Sequence, residues 1–342
     1  MGKIYKLGIV GLVHDHVWSC IENIKKMNNA EIICIAENNP VVLKKAKAIL
    51  DNVKLYKTHS QLLNEEEIDV CLVFTETCKH AQVTEACAKK GIHVMVEKPM
   101  AVTFKDAKQM LNSAEKSKIK LMVNFPTAWN PNLHKCYEVI KSGKIGRVWM
   151  IRWRDGHQGP KEVNCSKEFL KWLFCAPKSG GGALVDFGCY GAEFTALCFG
   201  RPVSVTAVAD TLVRKYLQVE DNAVIITKYA HPTVLCNIEG TWSQIPGGLS
   251  LHILGEKGSI VKNPLSPVEY NIYTQDTKKW ELLKPSVLAQ WQSEPIAYFL
   301  HCIEQNLPIE GLTSPYVAII MQEILEAAKL SVKKCKTIKM ED

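Results

Sequence analysis

No apolar run in the 342-residue chain approaches the ~18 residues needed to cross a bilayer, which argues against a membrane-spanning role. Nor is there a dense basic stripe interleaved with aromatics. The net charge of +7 is diluted by acids such as Glu65, Glu66 and Glu67, and the one short basic cluster lies near Lys333 and Lys334, so no nucleic-acid partner is expected. The thirteen cysteines include no CxxC pair and no repeated spacing. They sit in apolar runs such as Ile33-Cys34-Ile35, which predicts buried, reduced thiols and a cytoplasmic setting. His14-Asp15-His16 has no second ligand motif to pair with, so no metal is expected and the default is the start of a helix. The lysines and the run of about seven apolar residues before it read as a first strand, not a leader segment. Lys6 stands where an acylation signal wants serine or threonine.

What is present is the composition of a folded globular protein, 47% apolar and 23% charged. The length exceeds one ordinary core, which predicts two domains, 1–124 and 125–342. Strand-like and helical patterns alternate through the first. Tyr5 to Val10 precedes a helix with Val17, Cys20, Ile21, Ile24 and Met27 on one face; Glu31 to Ala36 precedes a helix opened by Pro40. Val70 to Phe74 reads as a strand covered on both faces, followed by a helix from His80 to Lys90. The run Val94 to Glu97 leads to a helix begun by Thr103, and Ile119 to Val123 closes the series. Such alternation predicts an α/β fold with a doubly wound parallel sheet.

Val94-Met95-Val96-Glu97-Lys98-Pro99 is the most informative stretch. Proline cannot donate to a sheet ladder, so the strand stops there and leaves Glu97 and Lys98 at its carboxyl end, where open parallel sheets bind ligands. A lysine at that edge relays protons or orients hydroxyls when partly desolvated; alone it also reads as a solvated turn residue. In the first turn, Gly8 and Gly11 lie between strand and helix, where backbone amides meet a pyrophosphate. Only Gly11 falls on the GxGxxG pattern, since Val13 and His16 occupy the later glycine positions. Glu37 ends the second strand, placed either to accept the adenosine ribose hydroxyls or as an acid in a polar turn. With Asn38 and Asn39 beside it and no arginine, NAD is favoured over NADP.

Three blocks in register resemble the Gfo/Idh/MocA oxidoreductases: Val96 to Pro99; Phe74-Thr75-Glu76-Thr77-Cys78-Lys79-His80; and the glycine-rich block Gly180 to Glu193. Gly255 to Ile260 extends the similarity along most of the chain. The resemblance implies a Rossmann domain followed by an α+β domain on a large, mostly antiparallel open sheet through which members associate as homodimers or homotetramers. It implies a nicotinamide at the mouth between the domains, with Gly8, Gly11, Leu12, Val13, Glu37, Thr75, Glu76, Thr77, His80, Glu97 and Lys98 around the cofactor. Lys98, Asp186 and Tyr190 would be catalytic, acting on a secondary alcohol of a sugar, cyclitol or related polyol: Lys98 would orient the hydroxyl and favour the Tyr190 phenolate, Tyr190 would be the general base and Asp186 would fix the substrate. Glu76 and Thr77 replace a Pro-Asn pair, Tyr190 replaces the usual histidine, and Ala128 stands where many relatives carry arginine. A non-catalytic dinucleotide sensor of the same fold is the alternative, favoured by the altered first turn.

In the second half, Pro126 to Pro131 reads as the crossing between domains and Asn132 to Ser142 as a helix. Arg147 to Arg154 alternates as a strand with unlike faces. Arg154, His157 and Trp172 are candidates to line a polyol pocket, although tryptophan serves core packing equally well. Asp186 and Tyr190 are four apart, which predicts one shared helical face. Ala223 to Tyr229, Val234 to Glu239 and Leu249 to Leu254 read as strands, and Tyr316 to Leu330 as a packing helix.

Overall fold

The computed structural model describes residues 3–263, 266 and 268–340. Its first unit is a parallel sheet of β1 (Tyr5–Val10), β2 (Ala30–Ala36), β3 (Lys54–Tyr56), β4 (Val70–Val73), β5 (His93–Glu97) and β6 (Leu121–Asn124), in the order β3-β2-β1-β4-β5-β6. The helices between them are α1 (His16–Ile24), α2 (Pro40–Lys47), α3 (His59–Glu65), α4 (His80–Lys89) and α5 (Phe104–Ser117). Every residue of β4 is buried, as a strand covered on both faces must be. Asn39 and Thr103 cap α2 and α5 by accepting from the amides of Val41 and Asp106. The order reverses between β1 and β4, which opens a crevice beyond their carboxyl ends. The sequence pattern does not announce β3 and α3, because a three-residue edge strand with no buried residue carries no periodicity. The helix expected to include Met27 ends at Ile24.

The second unit begins with α6 (Pro131–Ser142) and β7 (Val148–Gly156). Four helices follow: α7 (Lys167–Leu173), α8 (Ala176–Ser179), α9 (Ala183–Asp186) and α10 (Gly188–Phe199). Next come β8 (Ser204–Asp210), β9 (Asn222–Tyr229), β10 (Val234–Thr241), β11 (Ser250–Gly255), β12 (Gly258–Lys262), β13 (Tyr270–Thr274) and β14 (Trp280–Leu282), then α11 (Pro295–Glu304), α12 (Pro315–Lys334) and β15 (Ile338–Lys339). The nine-stranded sheet runs β14-β13-β12-β11-β7-β10-β9-β8-β15. Its neighbours are antiparallel except β7 and β10, which run side by side from Met150↔Leu235 to Gly156↔Thr241. One face is covered by α10 and α12; the other leaves Val208, Ile226 and Leu235 exposed. The alternation expected along β7 breaks at Trp149, where β11 passes from Met150 to Val148 without pairing it and the indole turns outward.

Alternation of strand and helix stops after β6, yet the sheet face bearing Leu7, Ile9 and Leu72 still needs cover. The chain returns to supply it: Ile296, Phe299 and Leu300 of α11 join that core.

Candidate active site

Pro99 ends β5 as expected and Lys98 turns inward, only 5% exposed. Its ammonium donates to the carbonyl of Asp186 at 3.0 Å and to Oδ1 of the same residue, and lies 4.7 Å from the centre of the Tyr190 ring. The other carboxylate oxygen, Oδ2, accepts from Nε1 of Trp242 at 2.9 Å. Lys98, Asp186 and Trp242 therefore form one chain across the boundary between the two sheets. Asp186 and Tyr190 do not share a single helix as predicted. The helix breaks at Phe187, so that Asp186 closes α9 and Tyr190 lies in the first turn of α10, both still facing Lys98. The glycine run before α9 meets Glu220, whose carbonyl would lie 2.0 Å from a β-carbon on Gly182 and whose carboxylate accepts from the amides of Gly182 and Leu184.

Charge in this cluster is set by burial against pairing. Burial works against the Lys98 ammonium, but the Asp186 carboxylate overrides it and the lysine is held well above its ordinary value. Burial likewise opposes ionisation of Asp186, and Lys98 overrides it, holding the carboxyl below its usual range. Tyr190 goes the other way. Burial pushes the phenol up further than Lys98 pulls it down, so the expected phenolate is not favoured: the lysine lies over the ring face, and the tyrosine stays protonated. Asp155, inward-facing on β7, is pushed up by burial to about 6.

The first turn is tied to the second unit. Trp172 donates its Nε1 to the carbonyl of Val13 at 3.2 Å, and Asp15 accepts from the amide of Ser166 at 2.7 Å. His14, Thr77, Lys98, Trp172 and Asp186 line one cleft of about 10 Å³, room for little more than a water molecule. Trp172 packs with Phe169 and Leu173 and also forms part of the cleft wall.

The remaining candidates divide. Gly11 has φ +84, and a β-carbon there would lie 2.7 Å from the amide nitrogen of Thr75, so β1 and β4 approach as a nucleotide crevice requires. Glu37 stands at the end of β2 with Oε2 accepting from Leu12 and Oε1 from Asn38 and Asn39, each at 2.8 Å. Thr75 and Thr77 are buried at the end of β4. Glu76 pairs with Lys79 and, across the boundary, Lys178. His80 is fully buried, donating Nδ1 to the carbonyl of Met100 at 3.2 Å and leaving Nε2 without a partner. Two placements correct the sequence reading. Gly8 lies inside β1, where a β-carbon would strike Ile68, in the segment between α3 and β4, at 2.7 Å and meet Leu62 of α3 at 3.4 Å; its smallness serves packing on the sheet. Arg154 points to the open face of the second sheet, because Trp153 takes the inward position and strand side chains alternate; it lines a hollow there with Glu239 and Lys262. His157 does reach the cluster, its ring edge-on to Phe187 at 4.9 Å and its charge coupled to Asp186.

Residues 6–125 match the model of an oxidoreductase family with an NAD-binding Rossmann fold, and residues 133–261 match the GFO/IDH/MocA C-terminal domain. The chain belongs to the Gfo/Idh/MocA family of oxidoreductases. It is 29% identical over 146 residues to myo-inositol 2-dehydrogenase of Thermotoga maritima, a match spanning 43% of this chain and 42% of that protein. It is 25% identical over 230 residues to D-apiose dehydrogenase of Paraburkholderia graminis, spanning 66% and 56%. The chain thus spans about half the length of the curated relatives it matches. Among solved structures, the WlbA dehydrogenase of Bordetella pertussis, in complex with NADH and UDP-GlcNAcA, superposes with a TM-score of 0.82 over the whole of both chains at 23% identity.

The Gfo/Idh/MocA relationship implies a dinucleotide, and the residues present fit one. The close approach at Gly11, the acid ending β2 and the cation ending β5 stand along one sheet edge in the order an adenosine-to-nicotinamide path requires. Glu97 lies off that path. It is completely buried, accepting from His16 Nδ1 at 3.0 Å and Asn124 Nδ2 at 2.6 Å. His14, His16 and Glu97 bring ligand-type atoms within 4.8 Å of one another, and among the described residues two contacts already use them, His16 to Glu97 and the His16 amide to His14. Trp242 was missed by the sequence reading, and no local signal marks it; it directly follows β10, which packs against α9 and so brings the indole to Asp186. No helix among the described residues is long and apolar enough to cross a membrane.

Proposed function

We propose that the protein interconverts a carbonyl and a secondary alcohol on a sugar, cyclitol or related polyhydroxylated molecule, using NAD in preference to NADP. The single observation that carries this is a lysine buried in the mouth between the two sheets and ion-paired there with Asp186, itself held by Trp242. When bound, a nicotinamide dinucleotide would supply the hydride donor or acceptor. Gly11, Glu37, Thr75 and Thr77 would hold it. The chain's own residues manage the oxygen: Lys98 donates a proton to the developing alkoxide, Asp186 fixes the ammonium in place, and Tyr190, protonated, offers a hydroxyl and not a base. The relatives named for inositol and apiose support a polyol substrate. The open face of the nine-stranded sheet is the proposed surface for a homodimer or homotetramer.

This protonation state suits carbonyl reduction. Alcohol oxidation first needs Lys98 neutral, among neighbours Asp186, Tyr190, Cys189 and Asp155 that favour or tolerate its charge and His14 and His157, which burial keeps neutral. Oxidation is therefore expected to rise about tenfold per pH unit from pH 7 to 10 with no plateau, while the Lys98-dependent step of reduction stays flat. Initial rates in both directions at 340 nm check this.

The proposal is tested by titrating NADH fluorescence and then screening polyols and their ketones for turnover; NADH binding with no turnover on any of them would sink it. Glu37→Ser is expected to weaken NADH binding by about tenfold and to narrow the gap to NADPH, since the variant lacks the acid that receives the ribose hydroxyls and repels a 2′-phosphate. Parallel titrations with the two cofactors measure both effects.

A further inference from the structure

His14 stands between Val13 and His16, the residues that occupy the later glycine positions of the first turn, and it is 3% exposed. Its Nδ1 accepts from the backbone amide of His16 at 3.3 Å. A neutral imidazole that accepts at one nitrogen carries its proton on the other. The proton therefore sits on Nε2, at the ring edge away from α1. The ring is clamped edge-on by Phe169 at 4.8 Å and tilted against Trp172 at 5.7 Å, and it forms the wall of the same cleft as Lys98 and Asp186. The groups facing it are His16 from α1, His80 from α4, and Lys98 and Glu97 from the end of β5, the Glu97 carboxylate being taken up by His16 and Asn124; burial, His16, Lys98 and His80 keep the imidazole uncharged.

We propose that His14 is a neutral hydrogen-bond donor to the substrate oxygen, its Nε2–H aimed into the cleft it shares with Lys98. This rests on the function proposed above. In reduction the carbonyl carbon gains a hydride, the carbon–oxygen π bond breaks, and the oxygen takes its proton from Lys98 Nζ, which recovers one from water. His14 transfers nothing. It polarises the carbonyl and meets the negative charge that grows on oxygen, and because it is uncharged it does not compete with Lys98 for the Asp186 carboxylate. It also supplies a fixed direction: with Lys98 it defines where the reacting oxygen lies in the cleft.

The test has two arms. Nitrogen-15 spectra of histidine-labelled, cofactor-free protein, assigned with His14→Phe, are expected to show His14 as the neutral Nε2–H tautomer from pH 5.5 to 8. An imidazolium signal, the Nδ1–H tautomer, or a shift on adding zinc overturns the assignment. In the second arm, His14→Phe keeps an aromatic ring between Phe169 and Trp172 and is expected to lower kcat for reduction by about 10²-fold or more with NADH affinity within twofold, while His14→Gln, which retains an N–H, recovers at least tenfold of that loss. Native turnover with kcat unchanged in His14→Phe overturns the role of His14 alone. Absence of native turnover on every ketone and polyol overturns the function as well, and the tautomer spectra then tell a correctly poised imidazole from a wrong geometry. Loss of turnover on chelation with recovery by zinc also overturns it, since the imidazole would then be a ligand.

Discussion

Lys98→Met is expected to lower kcat in either direction by about 10³-fold or more while leaving the NADH dissociation constant within a few-fold of the native value. Methionine matches the length of the lysine stem and suits a site that is 5% exposed, so the fold survives and only the proton donor is gone. The effect is large because no neighbour can substitute. Asp186 owes its ionised state to Lys98, and its Oδ2 stays engaged by Trp242 Nε1 in the variant, while burial holds Tyr190 protonated so firmly that it parts with its proton poorly. Single-turnover absorbance at 340 nm, combined with fluorescence titration of NADH, separates the two quantities. Unchanged turnover would overturn the assignment of Lys98.

Asp186→Asn is expected to be the most destabilising conservative change in the site. The substitution keeps size and shape but removes the charge that makes a buried ammonium tolerable. Taking one partner from a buried ion pair costs about 3–5 kcal/mol. Urea titration should show that loss at pH 7, and the double variant Lys98→Met/Asp186→Asn should recover much of it, because no uncompensated charge is left inside. The pH dependence has a definite sign. The Asp186 carboxyl is lowered on folding, so its contribution is present above its unfolded value and is lost as pH falls through the folded one; Lys98 is raised, so its contribution holds below its unfolded value and is lost as pH rises through the folded one. Native stability should therefore be broad across neutral pH, and in Asp186→Asn both limbs should flatten. A double variant no more stable than Asp186→Asn would show that the cost lies in packing and not in charge.

Much of this was legible in the residues. Pro99 after an apolar run is a physical statement about where a strand ends, and Lys98 lies there. Gly11 was readable for the same reason: the backbone needs a residue without a β-carbon. Periodicity located the long helices and central strands, but it was silent on β3, which is too short to show a repeat. Partners distant in sequence were beyond it altogether. Trp242 reaches Asp186, Glu220 holds the glycine run and α11 covers the first sheet only because of how distant segments meet. Arg154 and Gly8 were misplaced because residue type was read without direction: a strand turns alternate side chains to opposite faces, and a glycine in a strand serves a neighbouring helix as readily as a ligand. The state of Tyr190 was misjudged because a nearby cation was weighed and the cost of burying a phenolate was not.

The parallel pairing of β7 with β10 has a consequence for how specificity evolves. Those two strands deliver Asp155 to His157 and Thr241 to Ser243 to a single rim, stitched by the amide of His157 to the carbonyl of Thr241 at 3.2 Å and by the amide of Gln244 to the carbonyl of His157 at 3.1 Å. Each half of the molecule thus confronts the other with the ends of parallel strands, and the connecting segments beyond that rim can be exchanged for new ones while the frame beneath them stays unaltered. Grafting such segments from a relative is the economical way to retarget this scaffold.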